Sequence, residues 1–226
     1  MSGLGHPRVH FRLTDSTNAR ARELAARGAP SGTLVTADEQ SAGRGRQGRT
    51  WTAPRGRALL CSILIREPPR LLPLAAGAAV ADVVGPDSSI KWPNDVLLDG
   101  RKVAGILVEG RLQEGWAVVG IGVNVGVRVT EDLPLELRES AGTLGLGPDA
   151  IEPTLDALLG RLERWIGADE ESLLRAVRDR DALLGRSVRW AGGRGVGAGI
   201  DADGRLLVST DAGTVALDAG EVHLVA

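Results

Sequence analysis

Periodicity divides this chain into a long mixed segment and a closing run of short strands. Residues 16–28, STNARARELAARG, read as a helix that Asp15 or Ser16 can cap and Gly28 can end. A short strand follows at 33–38, then a polar glycine-rich run at 39–57 with neither helical nor strand period. The apolar run 58–65 predicts a buried strand, and the Ala-rich run 71–84 a buried helix. Further strands are predicted at 89–92, 95–98, 102–109 and 116–125, with turns at Pro93-Asn94 and a tight hairpin at Asp99-Gly100. Residues 127–147 are irregular. Helices resume at 153–166, where Pro153 suits a first turn, and at 170–184. From Gly185 about five short strands alternate with GGRGVGAG, DADG and DAG, the signature of a small β-barrel. The predicted architecture is α+β over 1–184, a mixed sheet with flanking helices, and a barrel over 185–226.

Composition narrows the function classes. At 226 residues, 43% hydrophobic and 25% charged, the chain is an ordinary globular protein. Its formal charge of -2 supplies no bulk attraction to nucleic acid. The stretch 71–85 is broken by Pro73 and Asp82 and is too short to span a bilayer. The N-terminus has no apolar core like that of a signal peptide, so the cytoplasm is the expected compartment. A single cysteine, Cys61, excludes an internal disulfide and a Cys-based zinc cluster. Inside ALLCSILI it reads as a buried, inert thiol. The basic residues are almost all arginine, Lys91 and Lys102 being the two lysines. Aromatic residues comprise five Trp and one Phe.

Gly43-Arg44-Gly45-Arg46-Gln47-Gly48 satisfies G-x-G-x-x-G, but no helix begins after it, so the dinucleotide reading fails. Walker A fails too, since no Gly-Lys-Ser/Thr is present. What remains is a loop in which Arg44, Arg46 and Arg49 can fork onto phosphate oxygens and close over a ligand, or simply form a solvated basic segment. Lys91 and Lys102 both fall in one hairpin-like segment with Trp92-Pro93-Asn94-Asp95 between them. Lysine is a compact point charge, suited to a narrow place beside a carboxylate and a phosphoryl oxygen. Asp95 can orient a lysine, hold magnesium, accept a proton, or serve only as a turn residue. Glu109 ends a buried strand and can face solvent. His6, His10 and His223 lie near the chain ends and read as incidental; no Ser or Cys nucleophile with a His base is apparent.

Taken in order, Asp15-Ser16-Thr17-Asn18, the segment Gln40 to Arg49 with Trp51, Lys91-Trp92-Pro93-Asn94-Asp95, Lys102-Val103-Ala104-Gly105 through Glu109, Gly120-Ile121-Gly122-Val123-Asn124 and Gly220-Glu221-Val222-His223-Leu224 resemble the biotin–protein ligase family. That family is related by fold to lipoate ligases and class II aminoacyl-tRNA synthetase catalytic domains, and its tail is an SH3-like barrel. The resemblance implies ATP and biotin as substrates with Mg²⁺, a biotinyl-AMP intermediate, and transfer to a biotin carboxyl carrier domain of a carboxylase. It implies biotin contacts from Ser16, Thr17, Gln40, Gly43, Arg44, Lys102 and Gly105. Nucleotide contacts fall to Arg46, Arg49, Trp51, Lys91, Asn94 and Asn124, with Asn124 reading the adenine edge. Lys102, Arg46, Arg49 and Asp95 are the expected catalytic groups, and Trp92 is expected to be structural. Asp15-Ser16-Thr17 arrives too early for the helix-turn-helix that some members carry, so DNA binding is not expected; nor is a membrane. A monomer and a sheet-edge homodimer both fit. One departure stands out: residues 127–147 hold no aromatic to cover an adenine. A lipoate or octanoate ligase is the nearest rival, and Gln40, Ser16 and Thr17 argue against it. A non-catalytic ligand sensor is the second, opposed by the retained lysines and loop arginines.

Overall fold

The computed structural model describes residues 3–111 and 114–225. Seven strands form a mixed sheet: β1 (Arg8–Phe11), β2 (Leu34–Ala37), β3 (Leu59–Arg66), β4 (Ser88–Lys91), β5 (Asp95–Leu98), β6 (Arg101–Arg111) and β7 (Trp116–Val123), in the order β1-β2-β3-β7-β6-β5-β4. Among the described residues, the β1–β2 pair is parallel and the other strand pairs of this sheet are antiparallel. The helices are α1 (Thr17–Ala26), α2 (Leu72–Val84), two one-turn pieces α3 (Val129–Asp132) and α4 (Leu135–Arg138), α5 (Ile151–Ile166) and α6 (Glu170–Arg178).

The two faces of the sheet are read directly from alternation along its central strands. On β3 and β7, Leu59, Cys61, Ile63 and Ile65 with Ala117, Val119, Ile121 and Val123 pack into the main core. That core also takes α2, buried along most of its length, and the apolar stripes of α5 and α6. The opposite face begins as a smaller core, where Leu64, Trp116 and Val118 meet Ala21 and Ala25 of α1. Farther along β7 that face turns to Gly120 and Gly122, and the layer opens into a cavity. Asp99 and Gly100, with φ of 51° and 72°, make the tight β5–β6 turn.

A second sheet of five antiparallel strands follows: β8 (Ser187–Trp190), β9 (Gly193–Ile200), β10 (Leu206–Thr210), β11 (Gly213–Leu217) and β12 (His223–Leu224), in the order β11-β10-β9-β8-β12. Val188, Ile200, Leu206, Val208 and Val222 join the main core, so apolar packing is continuous between the two sheets. Trp92 donates its Nε1–H to Gly204 O at 3.0 Å, and Gly204 sits against Leu71 and Leu74. Trp92 thus ties the β4–β5 hairpin to the C-terminal sheet.

Three local expectations need correction. β1 was not foreseen, because four residues of intermediate and exposed character carry little signal until Leu34–Ala37 pairs with them. The expected helix over 170–184 stops at Arg178: Ile90 N–H donates to Arg180 O at 2.7 Å and Ala182 N–H to Ile90 O at 3.0 Å, drawing 180–182 alongside β4. The run 127–147 is not wholly irregular, since it contains α3 and α4. Cys61 is buried as expected, and burial pushes its thiol up to about 12.

Asp181, in that strand-like linker, accepts from Leu183 N–H at 2.8 Å through Oδ1, while Oδ2 is buried without a partner. Burial raises its pKa above the ordinary carboxylate value, outweighing backbone hydrogen bonds. A raised acid favours the protonated folded form, so its ionised state costs stability at neutral pH and that cost fades as pH falls through the folded pKa. Asp181→Asn, which keeps the acceptor for Leu183, is expected to raise Tm at neutral pH, by about 2–4 °C for each kcal/mol recovered. The gain should shrink in acid. Thermal scans across pH check this, and a pH-independent difference counts against it.

Candidate active site

The cavity has a volume of about 480 Å³ and lies between the glycine side of the first sheet, the 40–52 loop, the α3–α4 segment and the tail 220–224. Such a space suits a small organic ligand. Its floor requires small residues. A Cβ on Gly120 would lie 2.1 Å from Asn18 Oδ1, one on Gly122 2.5 Å from Trp51 Cε2, and one on Gly105 2.9 Å from Trp51 Cζ3. In Gly120-Ile121-Gly122-Val123, the glycines therefore face the cavity while the branched residues face the core.

One end is polar and buried. Gln40 Oε1 accepts from Thr17 N–H at 2.7 Å and from Thr17 Oγ1–H at 3.1 Å, leaving its amide nitrogen as a donor. Ser62 Oγ lies 2.8 Å from Thr17 Oγ1 and 2.6 Å from Asn18 Oδ1. Asn18 Nδ2 donates onward to Leu107 O at 3.2 Å and Glu109 Oε2 at 2.9 Å. Ser16 and Thr17 line this end and are buried. Gly43 does not line the cavity: a Cβ there would fall 2.3 Å from Trp51 O, so its place is under the loop, which it lets close on itself. The loop is folded, with an antiparallel bridge Arg44–Thr50 and Trp51 N–H donating to Gly43 O at 3.0 Å.

The cationic centre comes next. Lys102 Nζ is 2.7 Å from Asp95 Oδ1, a close ion pair without hydrogen-bond alignment, and 5.6 Å from the Trp51 ring centroid. Arg46 Nη1 donates to Asn94 Oδ1 at 3.2 Å. Burial pushes the Arg46 guanidinium below its ordinary value; Asp95 opposes that and Arg49 reinforces it. A half-buried cation of this kind is well placed to accept an anionic partner. Asn94 is occupied at both ends, since its Nδ2–H donates to Ile106 O at 3.1 Å, so it acts as a strut for Arg46. Lys91 lines the cavity opposite Asp95 in the β4–β5 hairpin. Arg49 is ion-paired with Glu221, whose other oxygen is 3.2 Å from His223 Nε2. His223 accordingly lines the cavity and is not the bystander its place near the chain end suggested; His10 sits with Thr36 and Asp38, apart from the cavity lining.

At the far end, Asn124 Nδ2–H donates to Gly142 O at 2.8 Å, while Oδ1 is buried without a partner. Trp51 Nε1 is likewise buried and unpartnered. Leu133 and Leu137 from the α3–α4 segment line this end, in an apolar cluster with Ala58, Leu60 and Val127. Aliphatic side chains stand where the sequence offered no aromatic.

Of the expected site residues, Ser16, Thr17, Gln40, Arg44, Arg46, Arg49, Trp51, Lys91, Asn94, Asp95, Lys102, Gly105 and Asn124 share this cavity. Sequence reasoning missed Asn18, Ser62 and Glu221 as site residues. Ser62 had a signal, a lone hydroxyl within an apolar strand. Glu221 was visible only as part of the Gly220–Leu224 motif, because its partner Arg49 is 172 positions away (221 − 49).

Residues 10–126 match the model of the Biotin/lipoate A/B protein ligase family, and residues 184–225 that of the Biotin protein ligase C terminal domain. The biotin--[acetyl-CoA-carboxylase] ligase of Mycobacterium tuberculosis is 35% identical over 236 residues, covering 93% of this chain and 86% of the relative. The bifunctional ligase/repressor BirA of Bacillus spizizenii is 39% identical over 153 residues, 62% of this chain; the match spans 47% of that protein's length, about half. Among solved structures, the biotin protein ligase from Aquifex aeolicus in complex with biotin and ATP superposes with a TM-score of 0.81 and 28% identity, covering 97% of this chain and 98% of that one.

Proposed function

This chain belongs to the biotin/lipoate A/B protein ligase family, among the biotin protein ligases, and from that membership we propose its reaction: biotin and ATP are joined as biotinyl-5'-AMP, and the biotinyl group passes to a lysine of a biotin carboxyl carrier domain. The observation that carries this reading is that Lys102, Arg46 and the bare Asn124 oxygen share one cavity with the polar Ser16–Thr17–Gln40 end. A ureido ring has two donors and one acceptor, and suits the polar end better than an acyl chain would. Asn124 Oδ1 suits the exocyclic amine of adenine, with Leu133 and Leu137 as its cover. In the same reading the first sheet and its helices share the class II synthetase fold, residues 1–184 form the catalytic domain and 185–226 an SH3-like barrel.

In the first step an oxygen of the biotin carboxylate bonds to the α-phosphorus and pyrophosphate leaves. Both reactants are anions, so fixed cations dominate the barrier. Lys102 stands between the two ends of the cavity, with Arg46 and Arg49 on the loop beside it. Asp95 is the residue that would hold a magnesium ion accompanying the nucleotide. The described residues hold no cluster of three ligating side chains, and Asp95 is the cavity carboxylate not paired with an arginine, so the donor set fits an ion carried mainly by phosphate and water. When bound, it neutralises phosphate charge.

In the second step the acceptor amine attacks the acyl carbon, AMP leaves and a proton is lost. Deprotonating a free lysine at pH 7 costs about 4–5 kcal/mol, against roughly 7–11 kcal/mol available from positioning. Asp95 is the proposed proton acceptor, because its carboxylate already faces an ammonium group. The test is mass spectrometry of a carrier domain after incubation with Mg-ATP and either biotin or lipoate. The expected result is a biotinyl adduct on one lysine; a lipoyl adduct, or no adduct with either acid, overturns the proposal.

A further inference from the structure

Glu109, for which the sequence left simple solvent exposure open, lies on the cavity side of β6, two residues past Leu107 and four past Gly105. Its side chain is 25% exposed and has three partners from two other segments. Oε2 accepts from Asn18 Nδ2–H at 2.9 Å, and Oε1 lies 3.2 Å from Arg22 Nη1 and 3.4 Å from Arg44 Nη1. Neither arginine has another carboxylate within 4.0 Å among the described residues. Through Asn18 the same carboxylate reaches Ser62, and through Ser62 it reaches Thr17 and Gln40. Gly120 leaves no room for a Cβ beneath Asn18, so this path is built into the floor.

Resting on the ligase reading, we infer that Glu109 is a positioning residue, which straps the glycine–arginine loop to the polar end of the cavity through Arg44. The strap draws the Arg44 side chain to the rim and leaves its backbone, with Gly45, against the cavity. Glu109 touches no reacting atom. It couples the fit of the ligand's polar end to the closure of the loop over it, and so controls escape of biotin and of the adenylate.

Glu109→Gln retains an acceptor for Asn18 and removes the charge that holds Arg44, so the fold is preserved while the strap is lost. A partly exposed ion pair is worth up to about fivefold in an equilibrium. Stopped-flow Trp fluorescence should therefore show biotin leaving about fivefold faster from Glu109→Gln and from Arg44→Gln. The double variant should be no faster than either, since both break one contact. The change should fall on KM for biotin more than on kcat in biotin-dependent pyrophosphate exchange. Raised salt should speed release from the wild type and leave Glu109→Gln unaffected, because the strap is exposed enough to be screened. Arg22→Gln, which removes the other ion pair, should release biotin at the wild-type rate. Unchanged release in Glu109→Gln, additive single effects, or equal acceleration by Arg22→Gln overturns the strap while leaving the ligase reading intact. A wild-type chain that does not bind biotin overturns both.

Discussion

Lys102→Ala is expected to abolish biotin-dependent ATP–pyrophosphate exchange while the protein stays folded. The side chain is one of the few cations positioned between the two ends of the cavity, and removing a preorganised charge-stabilising group costs about 10²–10³ in rate. Its backbone is held independently of the ammonium, by Lys102 N–H donating to Ser140 O at 2.7 Å and Gly142 N–H to Lys102 O at 2.8 Å. The side chain is one-third exposed, so truncation leaves no core void. Lys102→Arg should not rescue. The amine lies 5.6 Å from the Trp51 ring centroid and 2.7 Å from Asp95 Oδ1, and a broad planar fork cannot place its charge at the same point as a compact ammonium. Pyrophosphate exchange with circular dichroism as the folding control measures this; exchange within tenfold of the wild type in Lys102→Ala would refute the assigned role.

Gly122→Ala should be nearly as damaging, although it removes no functional group. Its new methyl would lie 2.5 Å from Trp51 Cε2 and 2.8 Å from both Cζ2 and Nε1, against an aromatic ring with no flexible end to yield. Overpacking of this kind costs typically about 1–3 kcal/mol. Trp51 stands on the cavity side and its backbone N–H is bonded to Gly43 O, so the strain is relieved by moving the ring and the 43–51 loop. A loss of about 10–100-fold in kcat/KM is expected, carried by both substrates, with a shift in Trp fluorescence. Trp51→Ala combined with Gly122→Ala should cost less than the sum of the two, because the clash vanishes with the ring. Additive losses, or an unchanged kcat/KM in Gly122→Ala, would exclude the steric account.

These two variants show how differently site residues are written into a chain. Lys102, Arg46 and Asn124 were legible because chemistry restricts residue type: a compact cation, a forked cation and an amide recur with their neighbours in recognisable order. Gly122 was legible as part of a motif, but its reason, the indole of Trp51 lying across it, belongs to packing. The surroundings of Glu109 were left open, since its partners Asn18, Arg22 and Arg44 lie 91, 87 and 65 positions away.

Alternation and punctuation along the chain were enough to specify most strands, the buried Ala-rich helix, the tight turn at Asp99-Gly100 and the change to short strands after Gly185, because each depends on neighbours within a few residues. Local chemistry marked the scarce lysines and the arginine-rich loop as candidate anion contacts, and only the order of the motifs pointed to a particular family. Strand order, the parallel pairing of β1, the early end of α6, the ion pair from Arg49 to Glu221 and the several partners of Glu109 arose only when distant segments met. Such contacts are set by how two faces of a sheet divide the available space, and no short window of sequence contains that information.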